Sequence, residues 1–144
     1  MPNWINTGID EYKKRLPPQM KLSFKEIPLL KRNKQTDIAR LIDKETQQMK
    51  ALITPGSHII ALEVQGQSFT TEHLAKKIQL FQASGKNITI LIGGPEGLHP
   101  SCCQLANESW SLSKLTLPHP LVRVFLAEAI YRAWTITVNH PYHK

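Results

Sequence analysis

Asn87-Ile88-Thr89-Ile90-Leu91-Ile92 runs without a charge into Gly93-Gly94-Pro95-Glu96-Gly97. A short apolar run rich in β-branched residues and stopped by glycines reads as a buried strand ending in a turn. Upstream, His58-Ile59-Ile60-Ala61-Leu62-Glu63 is a second such run, followed by Gly66 and a helical pattern from Thr71 with Leu74, Ile78 and Phe81 on its inner face. Two apolar strands, each leading through a glycine-containing turn into a helical pattern, predict an α/β fold with a mostly parallel sheet. Ligand sites in such sheets lie at the strand ends.

Working outward, the spacing predicts a helix from Thr36 to Leu52. Its inner stripe is Ile38, Leu41, Ile42, Met49 and Leu52, its cap is Thr36 or Asp37, and Pro55-Gly56 ends it. Trp4, Ile5, Ile9 and Tyr12 predict an amphipathic helix over 4–16, stopped by Pro17-Pro18. Residues 21–27 alternate polar and apolar, the period of a half-exposed strand. Lys31-Arg32-Asn33-Lys34 gathers three positive charges with no apolar partner and reads as a loop. After Ser109, the leucines of Leu112-Ser113-Lys114-Leu115-Thr116-Leu117 could line an apolar cleft. The last helix, from Pro120 to Val138, is apolar on more than one side through Leu121, Val122, Phe125, Ala129, Ile130 and Trp134. It must be covered from two directions, either at the centre of the core or against a second subunit.

The chain has 144 residues and 16.4 kDa, with 41% hydrophobic and 20% charged residues. No repeat, low-complexity tract or linker divides it, so residues 1–144 read as a single domain. An uncharged apolar run of about 18 residues, the length of a membrane span, is absent. Asp10, Glu11 and Lys13 stand where a secretory signal would be apolar, and a cytoplasmic location is expected. Eighteen Lys and Arg against eleven Asp and Glu give a net charge of +7. That excess favours a polyanionic partner, with Lys31, Arg32, Lys34 and Arg123 as the phosphate-contacting surface. Cys102 and Cys103 are adjacent, a poor disulfide framework, and read as packing residues on a helix.

Several positions keep two readings. The glycine turn lacks the full phosphate-loop and dinucleotide fingerprints, and serves either as a ligand turn or as a tight structural turn. His119, between Pro118 and Pro120, reads as a residue of the helix start. His58 and His73 read as surface or helix-start residues, and no histidine pair has zinc spacing, so no metal is expected. Asn139-His140-Pro141-Tyr142-His143-Lys144 is either a solvated tail or the wall of a pocket, with Tyr142 stacking and His143 moving a proton. Arg123 and Arg132 suit interface ion pairs or RNA phosphates.

Ile92-Gly93-Gly94-Pro95-Glu96-Gly97, Ser109-Trp110-Ser111-Leu112-Ser113, Leu115-Thr116-Leu117-Pro118-His119-Pro120-Leu121-Val122-Arg123, Tyr131-Arg132-Ala133-Trp134 and the 139–143 tail closely resemble the bacterial 23S ribosomal RNA pseudouridine N3-methyltransferase family. The resemblance spans essentially the whole chain, Lys44-Glu45 included. It implies the SPOUT class of methyltransferases, an α/β knot with a C-terminal trefoil, S-adenosyl-L-methionine as cofactor and a homodimer. The implied substrate is N3 of a pseudouridine in the decoding-region stem-loop of 23S rRNA, on the assembled 70S ribosome.

By the same resemblance, Leu62, Gly93, Leu112, Ser113, Lys114, Leu115, Thr116 and Leu117 form the cofactor pocket. His143, Tyr142 and Arg132 form the catalytic group, with the tail facing the partner subunit's cofactor. Lys144 stands where the family commonly has arginine, so a bidentate phosphate contact is weakened while the charge remains. Family members carry a short leading strand of about ten residues ahead of the position of Met1, which this chain lacks; either its start lies upstream or it begins here without that strand. Two other readings stay open: a SPOUT methyltransferase of another rRNA or tRNA base, and a non-enzymatic ribosome-associated RNA-binding protein.

Overall fold

The computed structural model describes residues 2–28, 30–33, 35, 37–94 and 97–143. Helices α1 (Asn3–Arg15) and α2 (Ile38–Leu52) precede strand β1 (His58–Gln67). Then come α3 (Thr71–Ser84), β2 (Ile88–Leu91), α4 (Pro100–Leu105), β3 (Glu108–Trp110), α5 (His119–Thr137) and a 3-10 turn at Pro141–His143. All strand pairs are parallel, in the order β2-β1-β3. The predicted parallel α/β sheet is present.

Local chemistry sets most boundaries. Asp37 caps α2 by accepting from Arg40 N at 3.3 Å, and Thr70 caps α3 by accepting from His73 N at 3.1 Å. Thr36, the other cap candidate, lies outside the described residues. Cys102 and Cys103 sit on the short helix α4 as free thiols, Cys102 fully buried. Cys103 donates to Glu63 Oε1 at 3.0 Å, and burial together with that carboxylate pushes its thiol up to about 11.

The core cluster is Ile60, Leu74, Ala75, Ile78, Trp110 and Ala133, with Phe81 packed on it half-buried. Helix α5 packs on α1 along one side and on α3 along another. Ile5 and Ile9 of α1 and Leu126 and Ala127 of α5 are buried. The two-sided apolarity of α5 is thus answered largely inside the chain.

One expectation is corrected. Residues 21–27 form no strand: they make no ladder, and they line a cavity of about 1080 Å³ together with β2. Alternation sets which way side chains point, whereas a strand also needs a neighbour within hydrogen-bonding distance. The segment after Asn107, to which the spacing assigns no element, begins with β3, which pairs with β1 through Ile60, Ala61 and Leu62. Three residues are too short for periodicity to reveal. In α2 the expected inner stripe is only partly covered, for Ile38 and Leu52 are exposed.

Candidate cofactor and substrate site

The ladders bring the strand exits together. Ala61 pairs with Leu91, and Leu62 pairs with Trp110. Residues following β2 (Ile92, Gly93) and β3 (Ser111, Leu112) therefore leave the sheet beside Leu62. Leu62 and Gln67 both pair with Trp110, so residues 63–66 arch out of the ladder. At the arch, a methyl on Gly66 would lie 2.7 Å from the carbonyl carbon of Trp110.

The glycine turn is closed by Gly97 N donating to Gly94 O at 3.0 Å. Gly97 has φ +80°, a conformation glycine adopts without Cβ strain. A Cβ on Gly93 would lie 2.6 Å from Gly97 C and 2.7 Å from Leu98 N. Gly93 is thus required by the turn's own closure, the structural half of the two readings. Pro95 and Glu96 lie outside the described residues.

The loop after β3 is braced from within. Ser111, buried, donates its hydroxyl to Ser113 O at 2.9 Å, and Ser113 Oγ accepts from Leu115 N at 2.9 Å. Leu112, Ser113 and Leu117 are half-buried, Lys114 and Thr116 are exposed, and Leu115 is 73% exposed. An apolar side chain held out at a strand exit by a braced backbone suits a flat heteroaromatic ring. Leucines and neutral backbone groups fit the adenosine part of S-adenosylmethionine. The 1080 Å³ cavity meets this region at Ile92, the glycine turn (Gly93, Gly94, Gly97) and Trp110, and among the described residues none of 111–117 lines it.

The tail is placed by the end of α5. Asn139 takes φ 56°, with Asn139 N donating to Ile136 O at 3.3 Å and His140 N to Thr135 O at 2.9 Å. This paired closure turns the chain back onto the helix. Tyr142 OH then donates to Glu128 Oε1 at 3.2 Å, and its ring meets Tyr131 edge-on at 4.7 Å. The Arg132 guanidinium lies 4.9 Å from the Tyr142 ring centre and pairs with Glu128 at 2.7 Å. His143 Nδ1 lies 3.5 Å from Thr135 Oγ1. Burial and a hydrogen bond with Tyr12 push the Tyr142 phenol up to about 12, so it stays protonated and donates. Tyr142, Arg132 and His143 are brought together on α5, in contact with α1 through Tyr12.

The expected phosphate surface is more varied. Lys31 is exposed, but Arg32 makes a two-point pair with Glu45 (2.8 and 3.1 Å) and donates to Leu30 O at 2.7 Å. Arg32 ties its segment to α2. Arg123 lies 3.7 Å from Glu26 Oε1 with its side chain largely covered. Burial and the nearby Arg123 charge lower the pKa of His119, the first residue of α5. Lys34 and Lys144 lie outside the described residues.

One cluster escaped sequence reading. Glu108 accepts from His58 Nε2 and Lys77 Nζ, both at 2.6 Å, and from Trp110 Nε1 at 3.0 Å. His58 is a partner within the sheet rather than a surface residue, whereas His73 is exposed in the first turn of α3, as expected. Burial alone would raise the Glu108 pKa, but its three donors and the Lys77 charge together hold it near 2. These partners are 50 and 31 residues away in sequence, so no local pattern could have announced them.

Parallel strand exits meeting a glycine turn and a leucine loop define an α/β protein of the cofactor-binding kind. Over residues 1–143 the chain matches the family described as "Predicted SPOUT methyltransferase", and it belongs to that family. It is accordingly an S-adenosylmethionine-dependent methyltransferase of the SPOUT class. Among the described residues no group of three or more His, Cys, Asp or Glu could hold a metal ion, and no helix is long and apolar enough to cross a membrane.

Proposed function

We propose that this SPOUT methyltransferase methylates N3 of a pseudouridine in the decoding-region stem-loop of 23S rRNA, acting in the cytoplasm as a homodimer on the assembled 70S ribosome. The observation carrying the reading is the family match together with the Tyr142–Arg132–His143 tail folded onto α5. The same reading takes residues 1–144 as one domain with a C-terminal trefoil knot. Leu62, Gly93 and Leu112 to Leu117 make the cofactor pocket, and bound S-adenosylmethionine supplies an electrophilic methyl group on sulfur.

The chain's own residues then have separate tasks. Leu112, Leu115 and Leu117 exclude water from the adenine face, and loop backbone groups satisfy its polar edge. His143 accepts the N3 proton, directly or through water. Tyr142, its phenol donating to Glu128, fixes the tail and orients the nucleobase with its ring, and Arg132 supplies positive potential toward the charge developing on N3. The tail serves the partner subunit's cofactor, so each site is completed across the dimer. Lys31, Lys34, Arg123 and Lys144 contribute phosphate attraction, while Arg32 acts by holding its segment to Glu45.

The test is mass mapping of 23S rRNA after incubating modification-deficient 70S ribosomes with the protein and labelled S-adenosylmethionine. One methyl on N3 of a decoding-region pseudouridine is expected. A methyl on another rRNA base or on tRNA would move the protein to a different SPOUT specificity, and no transfer to any RNA would reject the enzymatic assignment.

A further inference from the structure

We propose that the C-terminal turn of α1, Lys13-Lys14-Arg15, forms with Arg132 and Tyr142 a continuous ridge that grips the RNA backbone next to the catalytic tail. The inference deepens the rRNA methyltransferase reading and rests on it. By sequence spacing 31–34 stands out as the positive cluster, and 4–16 reads as an amphipathic helix.

Three observations carry it. First, Lys13, Lys14 and Arg15 are consecutive and exposed, closing a helix whose other face is buried through Ile5 and Ile9. Second, packing of α1 on α5 places this turn beside the tail. The Arg15 guanidinium lies 5.5 Å from the Tyr12 ring centre and 5.7 Å from that of Tyr131, and Tyr131 meets Tyr142 at 4.7 Å. Tyr12 meets Tyr131 at 6.0 Å, and Tyr142 carries Arg132 over its ring. Arg15, Arg132 and the tyrosines thus form one chain of contacts from α1 to the 3-10 turn, which Lys14 joins through Glu11 and Lys13 adjoins in the same helical turn.

Third, both guanidiniums are held in place. Glu11 fixes Arg15 at 2.6 Å and Lys14 at 2.9 Å, and Glu128 fixes Arg132. Four cations against these two carboxylates leave the ridge positive. Among the described residues Lys13 makes no ion pair. Each guanidinium lies against an aromatic ring with its Nε and Nη2 on a carboxylate, so the arginines bring fixed charge and the exposed Lys13 and Lys14 are the flexible phosphate contacts. Cations at a helix C-terminus also favour the helix dipole, by about 0.3–1 kcal/mol each. That effect gives the turn a reason to be basic without RNA, and the experiment must separate the two.

The experiment compares the full chain with a Lys13→Gln/Lys14→Gln variant and a Lys13→Arg/Lys14→Arg variant. It measures binding to modification-deficient 70S ribosomes over a salt series, with S-adenosylmethionine affinity and thermal midpoint alongside. The glutamine variant is expected to bind ribosomes roughly tenfold more weakly at moderate salt, with the log–log salt slope reduced by about one per lysine. Its cofactor affinity should be unchanged, and the arginine variant should keep both affinity and slope. A folded glutamine variant with wild-type ribosome affinity and slope, whether or not its thermal midpoint falls, overturns the ridge and leaves the enzyme reading standing. A parent chain that binds S-adenosylmethionine but no ribosome at any salt overturns the ribosomal reading and the ridge with it.

Discussion

Glu108 joins three elements with one side chain: His58 of β1, Lys77 of α3 and Trp110 of its own strand all donate to it. Replacing it by Gln leaves Lys77 without its counter-charge, and a loss of about 1–3 kcal/mol is expected in urea unfolding. The sign of the pH effect follows from its carboxyl being held near 2 against an ordinary 4.5. The folded state binds the proton less readily, so this contribution is fully present above about pH 4.5 and is lost as pH falls toward 2. The urea midpoint of the parent should drop through that window more steeply than that of Glu108→Gln; parallel curves would show that Glu108 does not set acid stability.

At the same scale, the tail residues divide by chemistry. A phenol held up to about 12 donates and does not act as a base near neutrality. His143→Ala should therefore lower the single-turnover rate on saturating ribosomes most, with S-adenosylmethionine affinity retained. Tyr142→Phe keeps the ring and loses the donor, so a smaller loss is expected. Wild-type rates for both variants would end the catalytic-tail proposal, and a loss confined to ribosome affinity would make these residues docking groups.

Elements in this protein are positioned by a few backbone geometries. Asn139 in the left-handed region lets the chain reverse after α5 and return Tyr142 and His143 to the helix. Asn and Gly accept that conformation, whereas a β-branched side chain resists it at a cost of about 1–2 kcal/mol. Asn139→Val should then reduce methylation by freeing the tail, and Asn139→Gly should preserve it; equal rates for the two would dissociate the turn from activity. The glycine turn behaves differently. Because a Cβ on Gly93 meets the backbone of Gly97 and Leu98, Gly93→Val should lower both thermal midpoint and cofactor affinity. Calorimetry giving unchanged affinity for a folded Gly93→Val protein would remove Gly93 from the site.

For the whole molecule, α5 is the axis. It is covered by α1 and α3, yet Leu121 and Phe125, one turn apart, remain exposed at 37% and 41%. Trp4 of α1 and Val138 just beyond α5 are also exposed. These residues supply the apolar contact of the proposed dimer. Sedimentation equilibrium at micromolar concentration should give a dimer for the parent and a shift toward monomer for Phe125→Glu. A fully active parent of monomeric mass would exclude a site shared between subunits.

The parallel α/β plan was legible in the sequence, because the two β-branched runs at 58–62 and 87–92 each lead through a glycine-containing turn toward a helical pattern. So were α1, α3 and α5, whose apolar spacing and, for α1, the Pro17-Pro18 stop act over a few residues. The strand expected at 21–27 failed because a ladder depends on a neighbour, and β3 went unread because three residues carry no period. The candidate site was legible where motifs are local, in the glycine turn, the leucine loop and the tail. The folded chain pairs Arg32 with Glu45, closes the glycine turn against Gly93 and gathers His58 and Lys77 on Glu108, none of which local spacing carries. It alone placed the basic end of α1 against Tyr142. Ion pairs and close backbone approaches join residues far apart in sequence, and their energies depend on distances that exist only once the chain has folded.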